Sequence, residues 1–145
     1  MSGTVLGLEQ IVLGGVATTR EEAISEAAGI LVAAGAVTDE YERYMFEREA
    51  SVSTFMGNGL AIPHGTNEGK DTILASALSF VRYDSPIDWG GNPVTFVVGI
   101  AGKDGGHMQV LSGIAIIFSD DDSVAALTAA TSREQVLALL DDVNS

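Results

Sequence analysis

The chain holds two histidines, His64 and His107, and no cysteine. With thiols absent, imidazole is the side chain best suited to nucleophilic work near neutral pH. One ring nitrogen keeps a lone pair while the other N–H can be fixed by a hydrogen bond. His64 lies in the run GNGLAIPHGT, residues 57–66, between Pro63 and Gly65. Pro63 restricts its own φ and the backbone of Ile62, and Gly65 leaves the space above the ring open. His107 follows Gly102-Lys103-Asp104-Gly105-Gly106 at the expected start of a helix. A helix N-terminus offers free N–H groups and about half a positive charge, a ready anion site. A phosphate group near both imidazoles would meet a fitting environment. The residues alone leave open whether either one is a nucleophile or an ordinary hydrogen-bonded histidine.

Other chemistries find less support. The histidines lack the close ligand spacing of a zinc site such as HExxH. No GxSxG elbow is present, GNGLAI lacks the third glycine of a dinucleotide fingerprint, and no Walker GK[ST] occurs. Trp89 is read as a core anchor, and the run Ser119-Asp120-Asp121-Asp122 as helix-capping acid.

The elements that must position these residues are legible in the pattern. A first helix is expected from Thr19 to Ala34. Thr19 and Glu22 form a capping box, Ala23, Ile24, Ala27, Ala28 and Leu31 line one face, and Gly35 is the stop. A second is expected from Thr38 to about Ala50, with Tyr41, Tyr44 and Met45 apolar-facing and Arg48 in its last turn. Short strands at Ser53–Met56 and Leu60–Ile62 flank the GNG turn. Thr72–Val81 and Val94–Ala101, apolar on both faces, read as strands covered on both sides, joined by a loop or widened hairpin through YDSPIDWGG. Three helices close the chain. The first starts near His107 with Val110, Leu111, Ile114, Ile117 and Phe118 inward, and the second is capped by Ser119 with Asp122. The third is capped by Ser132 with Gln135, with Val136, Leu137, Leu139 and Leu140 inward. The expected fold is α/β, a three-layer sandwich whose mixed central sheet is flanked by helices on both faces.

The length of 145 residues fits one domain, residues 1–145, with enough chain to bury a core. No segment approaches the ~20 apolar residues of a membrane span, and the N-terminus lacks the basic and apolar regions of a signal peptide. A soluble, cytoplasmic protein is expected. The net charge of −13, with only seven Lys and Arg, argues against nucleic acid as a partner. The acidity fits either steering of a basic protein partner or solubility in a salty cytoplasm.

The segment EREASVSTFMGNGLAIPHGT, followed some forty residues later by GIAGKDGGHMQVL, resembles the IIA component of the bacterial sugar phosphotransferase system. The likeness is to the mannitol/fructose class, nearest its mannitol-specific type. It extends to the opening LGLEQIVLGGVATTREEAI and the closing TSREQVLALLDD. The resemblance implies that His64 accepts a phosphoryl group from the phosphohistidine of the carrier protein HPr. His64 then passes it to a cysteine of the IIB component, driving uptake of mannitol or a related polyol or fructose. It implies further that modification is on the ring nitrogen remote from the backbone, that Arg48 and His107 lie beside it, and that no cofactor or metal is needed. Asn58 departs from the pattern, because many members carry an acidic residue in that turn. Two other functions remain open: a nitrogen-related regulatory paralogue using the same histidine, and a binding scaffold without phosphoryl chemistry.

Overall fold

The computed structural model describes residues 5–103 and 107–140, and the side chains of all of these except 107–110. Ten regular elements follow in order: β1 Ile11–Val12, α1 Arg20–Ala33, α2 Tyr41–Ser51, β2 Phe55–Gly57, β3 Leu60–Ala61, β4 Ala77–Trp89, β5 Asn92–Ala101, α3 His107–Phe118, α4 Asp121–Ala129 and α5 Arg133–Leu139. The strands form one mixed sheet in the order β1-β4-β5-β3-β2. β1 is parallel to β4 and β3 parallel to β5, while the β4–β5 and β2–β3 pairs are antiparallel.

Alternation along β4 and β5 divides the core. Val81, Tyr83, Ile87, Trp89, Val94 and Val97 pack with α1 and α2. Leu78, Phe80, Phe96, Val98 and Ile100 pack with the inward residues of α3, α4 and α5. Side chains on successive strand residues point to opposite faces, so both faces must be covered when both are apolar. The three-layer sandwich expected from the apolar strands is the fold found.

In α1 the five residues expected to face inward are the five that are buried. Thr19 accepts from the Glu22 N–H at 3.1 Å. The Glu22 carboxylate reaches one residue beyond the expected box, taking the Thr18 N–H at 2.8 Å. Gly35 ends the helix with φ of 76°. α2 starts three residues later than expected, at Tyr41. The Thr38 N–H is instead given to the Thr72 carbonyl at 2.9 Å, which ties the turn before α2 to a remote loop.

The largest departure is in β4. Residues Asn67–Thr72 form a 3-10 helix, and the following N–H groups of Leu74 and Ala75 both turn to the Ala36 carbonyl. The strand therefore begins only at Ala77 and runs on through the stretch expected as a loop or widened hairpin, and the hairpin is the alternative found. A register shift between Arg82 and Ile87 accommodates Pro86. The actual turn is the pair Gly90-Gly91, with φ of 63° and 96°, the left-handed pair a tight hairpin requires.

Two C-terminal assignments also change. The cap of α4 is Asp120, because the Ser119 hydroxyl donates back to the Ile116 carbonyl at 2.7 Å and so finishes α3. On α5, Ser132 caps as expected, but Leu139 is 37% exposed while Val136 and Leu140 are buried. The side chain of Val110 lies outside the described residues.

Candidate functional site

His64 sits where the parallel strands β3 and β5 end at their carboxyl side. The β3–β5 register, Leu60 to Phe96 and Ala61 to Val97, continues in an isolated bridge between His64 and Ile100. The intervening backbone is held on both sides. Ile62 N–H donates to the Thr54 carbonyl at 3.0 Å and Ile100 N–H to the Pro63 carbonyl at 3.0 Å. Proline is tolerated there because its neighbour, not Pro63 itself, supplies the N–H facing Thr54. In open α/β sheets the carboxyl ends of parallel strands are where ligands bind.

The imidazole folds back on its own strand. His64 Nδ1 lies 2.8 Å from the Ile62 carbonyl oxygen. A carbonyl only accepts, so Nδ1 carries the hydrogen in this bond and the neutral ring keeps its lone pair on Nε2. The tautomer is thereby set by the backbone geometry.

Tyr41, at the first turn of α2, clamps this segment from the side. Its hydroxyl donates to the Ile100 carbonyl at 2.7 Å and accepts from the Gly65 N–H at 2.9 Å. It therefore joins the residue after His64 to the residue paired with His64. A Cβ at Gly65 would come within 2.6 Å of the Tyr41 ring, so glycine is required for the ring to close in. Burial pushes the Tyr41 hydroxyl up to about 12, against the weaker opposing effect of the Gly65 N–H. The hydroxyl stays neutral at any working pH and sets no negative charge beside the histidine.

A cleft of about 460 Å³ opens at this point. His64, Tyr41, Thr66, Lys70 and Lys103 are among its walls. The Thr66 hydroxyl is buried without a hydrogen-bond partner among the described residues. A cleft lined by an imidazole and two ammonium groups suits an anionic ligand. Among the described residues no group of three or more His, Cys, Asp or Glu is placed to hold a metal ion.

Of the residues singled out in the sequence, His64 is in this cleft. Arg48 is not among its described walls, and its Nη1 donates to the Val52 carbonyl at 2.6 Å, closing the end of α2. His107 opens α3, and its side chain lies outside the described residues. Glu49, beside Arg48, is buried and accepts from the Trp89 Nε1–H at 3.0 Å and from the Thr54 N–H at 3.0 Å. It anchors the end of α2 to the sheet. Trp89, wholly buried, is the core anchor expected of it.

The family model described as phosphoenolpyruvate-dependent sugar phosphotransferase system, EIIA 2, matches residues 4–143. The chain belongs to that family. A relative from Halalkalibacterium halodurans, named mannitol-specific phosphotransferase enzyme IIA component, is 46% identical over 144 residues, 99% of each chain. The Bacillus subtilis protein of the same name is 43% identical over 141 residues, 97% of this chain and 99% of its own. Among solved structures, the NMR complex of enzyme IIAMTL and phosphorylated enzyme IIBMTL from Escherichia coli matches with a TM-score of 0.88 and 36% identity. That match covers 94% of this chain and 97% of the other. Within this EIIA chain, no described helix is long and apolar enough to cross a membrane.

Several residues of this cleft were not singled out from the sequence. Tyr41 was assigned to an apolar helix face, because spacing does not reveal that its hydroxyl finds two backbone partners. Lys70 and Lys103 offered a signal that could have been used: they are the only lysines of a chain of net charge −13.

Proposed function

We propose that this chain is the phosphocarrier of a mannitol-type permease in the phosphoenolpyruvate-dependent sugar phosphotransferase system, working in the cytoplasm. His64 Nε2 attacks the phosphorus of the phosphohistidine on HPr. The new N–P bond forms as the donor's N–P bond breaks, and the donor imidazole recovers its electron pair. In the second half, a cysteine thiolate of the IIB component attacks the same phosphorus. The S–P bond forms and His64 leaves with its electron pair. The Nδ1–H stays on the Ile62 carbonyl throughout, and a ring protonated there is the better leaving group. No metal or nucleotide takes part, so catalysis is positioning plus charge stabilisation.

The observation that carries this reading is the 2.8 Å contact from His64 Nδ1 to the Ile62 carbonyl at the mouth of a small cleft. It leaves Nε2 as the acceptor atom. The mannitol-specific names of the relatives support the transport reading over the nitrogen-related one. The resemblance adds Arg48 and His107 as neighbours of the phosphoryl group. Arg48 spends one N–H on Val52 among the described residues, and a guanidinium has five to give.

The test is incubation with phosphoenolpyruvate, enzyme I and HPr, followed by mass measurement. The wild type is expected to gain one acid-labile phosphate and His64→Ala none. Arg48→Ala and His107→Ala are expected to take up the label but pass it to IIB more slowly. An unlabelled wild type, or a labelled His64→Ala, removes the reading.

A further inference from the structure

The chain's cations are divided in an uneven way. All five arginines are engaged within the fold. Arg20 pairs with Glu21 at 2.9 Å, and Arg43 lies within 4.0 Å of both Glu40 and Glu47. Arg48 closes α2 on Val52, and Arg82 donates to the Leu127 and Ala130 carbonyls at 2.9 and 2.6 Å, closing α4. Arg133 reaches the Leu8 carbonyl at 3.4 Å. The two lysines are different. Neither Lys70 nor Lys103 has an ion-pair or hydrogen-bond partner for its ammonium among the described residues, and both line the cleft of His64.

Their backbones, by contrast, are fixed. Lys70 belongs to the 3-10 helix Asn67–Thr72, which packs so closely on Tyr44 that a Cβ at Gly69 would fall 2.6 Å from its ring. The Lys103 N–H donates to the Ser76 hydroxyl at 2.9 Å. Two anchored backbones thus carry ammonium groups that line the histidine cleft without a partner among the described residues. Asp71 also lines the cleft, but it makes no ion pair with either lysine within 4.0 Å.

We propose that Lys70 and Lys103 form a two-ammonium cradle that holds the phosphoryl group while His64 carries it. The proposal rests on the phosphocarrier reading above and adds to it the residues that meet the charge. A phosphoryl dianion entering a protein of net charge −13 is repelled by the chain as a whole. At ~0.15 M salt, charges beyond ~8 Å are largely screened, so nearby cations decide the local balance. An ammonium on a flexible stem has three donors and can follow a phosphorus that moves from one nucleophile to the next. A permanent exposed ion pair would gain little in stability, which fits cations kept free for a transient anion.

The experiment is a 31P NMR pH titration of the isolated phosphorylated chain, prepared with phosphoenolpyruvate, enzyme I and HPr and then freed of partners. Nearby cations favour the dianion and lower the second ionisation of the phosphoryl group. The double variant Lys70→Gln/Lys103→Gln is therefore expected to titrate about half a unit to one unit higher than wild type. Onward transfer to IIB is expected to fall about tenfold. Lys70→Arg/Lys103→Arg, which keeps both charges, should restore the titration. Arg133→Gln, which removes a cation elsewhere, should leave it unchanged. A folded double variant that takes up no phosphate at all, with each single variant titrating part-way, is the same result at its extreme.

Identical titrations in wild type and double variant overturn the cradle, as does an equal shift in Arg133→Gln. A wild type that takes up no phosphate overturns the phosphocarrier reading itself, which keeps the two failures distinct.

Discussion

On the face of the sheet covered by α1 and α2, the core is threaded with polar groups. Tyr41 bridges Gly65 and Ile100, Glu49 gathers Trp89 and Thr54, the Tyr83 hydroxyl donates to Glu26 at 2.6 Å, and Ser79 accepts from the Gly99 N–H. On the face covered by α3, α4 and α5 the described core is aliphatic and aromatic. Its centre is a chain of rings, Phe80 to Phe96 at 5.8 Å and Phe96 to Phe118 at 5.3 Å. The two materials do different work. Apolar burial is non-directional and supplies stability, whereas each buried hydrogen bond adds only about 1 kcal/mol net but specifies one geometry. The site lies on the strand ends gripped by the polar face. Ile100 belongs to both, with its side chain in the apolar core and its carbonyl on Tyr41. Substitutions on the two faces should therefore separate stability from phosphoryl transfer.

The largest expected effect is on the apolar side. Phe96→Ala removes the middle ring of the chain and should cost about 3–5 kcal/mol. Urea unfolding measures the loss. The fraction that remains folded should still take up phosphate at close to the wild-type rate. A transfer rate that falls well beyond the loss of folded protein would show that the apolar face also positions His64, and the division would be gone.

Tyr41→Phe is the corresponding cut on the polar side. It leaves the ring in place but strips the Gly65 N–H and the Ile100 carbonyl of their shared partner. The expected cost is about 1–3 kcal/mol, with phosphoryl transfer slowed roughly tenfold because the backbone around His64 loosens. The pH dependence checks the same contact independently. Burial raises the folded ionisation of Tyr41 above that of the unfolded chain, so its stabilising effect is whole below about pH 10. It is then lost as pH rises toward about 12. Between those limits wild type should lose stability relative to Tyr41→Phe. A constant difference between the two would mean that the hydroxyl is not buried as described. Unchanged transfer in Tyr41→Phe would make it a packing residue only.

The sequence made some of this division visible and hid the rest, for physical reasons. α1 was legible almost entirely, because cap, apolar stripe and glycine stop all agree locally. The sandwich followed from β4 and β5 being apolar on both faces. The start of α2 and the start of β4 were misplaced for one shared reason. Residues 36–38 and 72–75 bond to each other across the chain, and no local pattern records a remote partner. The stretch before Gly90-Gly91 left loop and widened hairpin both open because Pro86 and two aspartates mask a strand that is bulged rather than broken. At the cleft, His64 was legible as a candidate through its neighbours Pro63 and Gly65, with its role left open. The tautomer was not, since it depends on how the ring folds back onto Ile62. Asn58 shows the same limit. Its amide donates to the Phe118 carbonyl at 2.6 Å, a bond an aspartate has no proton to make.

The smallest expected effect compares the two faces through their helix starts, which use the same device with different chemistry. At α1 the side chain that reaches back is Glu22, taking the Thr18 N–H. At α5 it is Gln135, taking the Thr131 N–H at 2.6 Å. The hydrogen bond from the Thr18 backbone holds the Glu22 carboxyl below its usual range, with the Thr18 hydroxyl adding to it. A folded ionisation lowered in this way contributes stability above the unfolded value, and that contribution is lost as pH falls through and below the mid-fours. The start of α1 should therefore weaken in acid while the start of α5 does not. In urea titrations, Glu22→Gln should lower the midpoint slightly at pH 7, and the gap from wild type should close by pH 3. Gln135→Glu should show the opposite trend, gaining an acid-sensitive component that wild type lacks at that end. If the Glu22→Gln gap is the same at both pH values, the carboxylate charge is not what holds the start of α1, and the two caps are equivalent despite their chemistry.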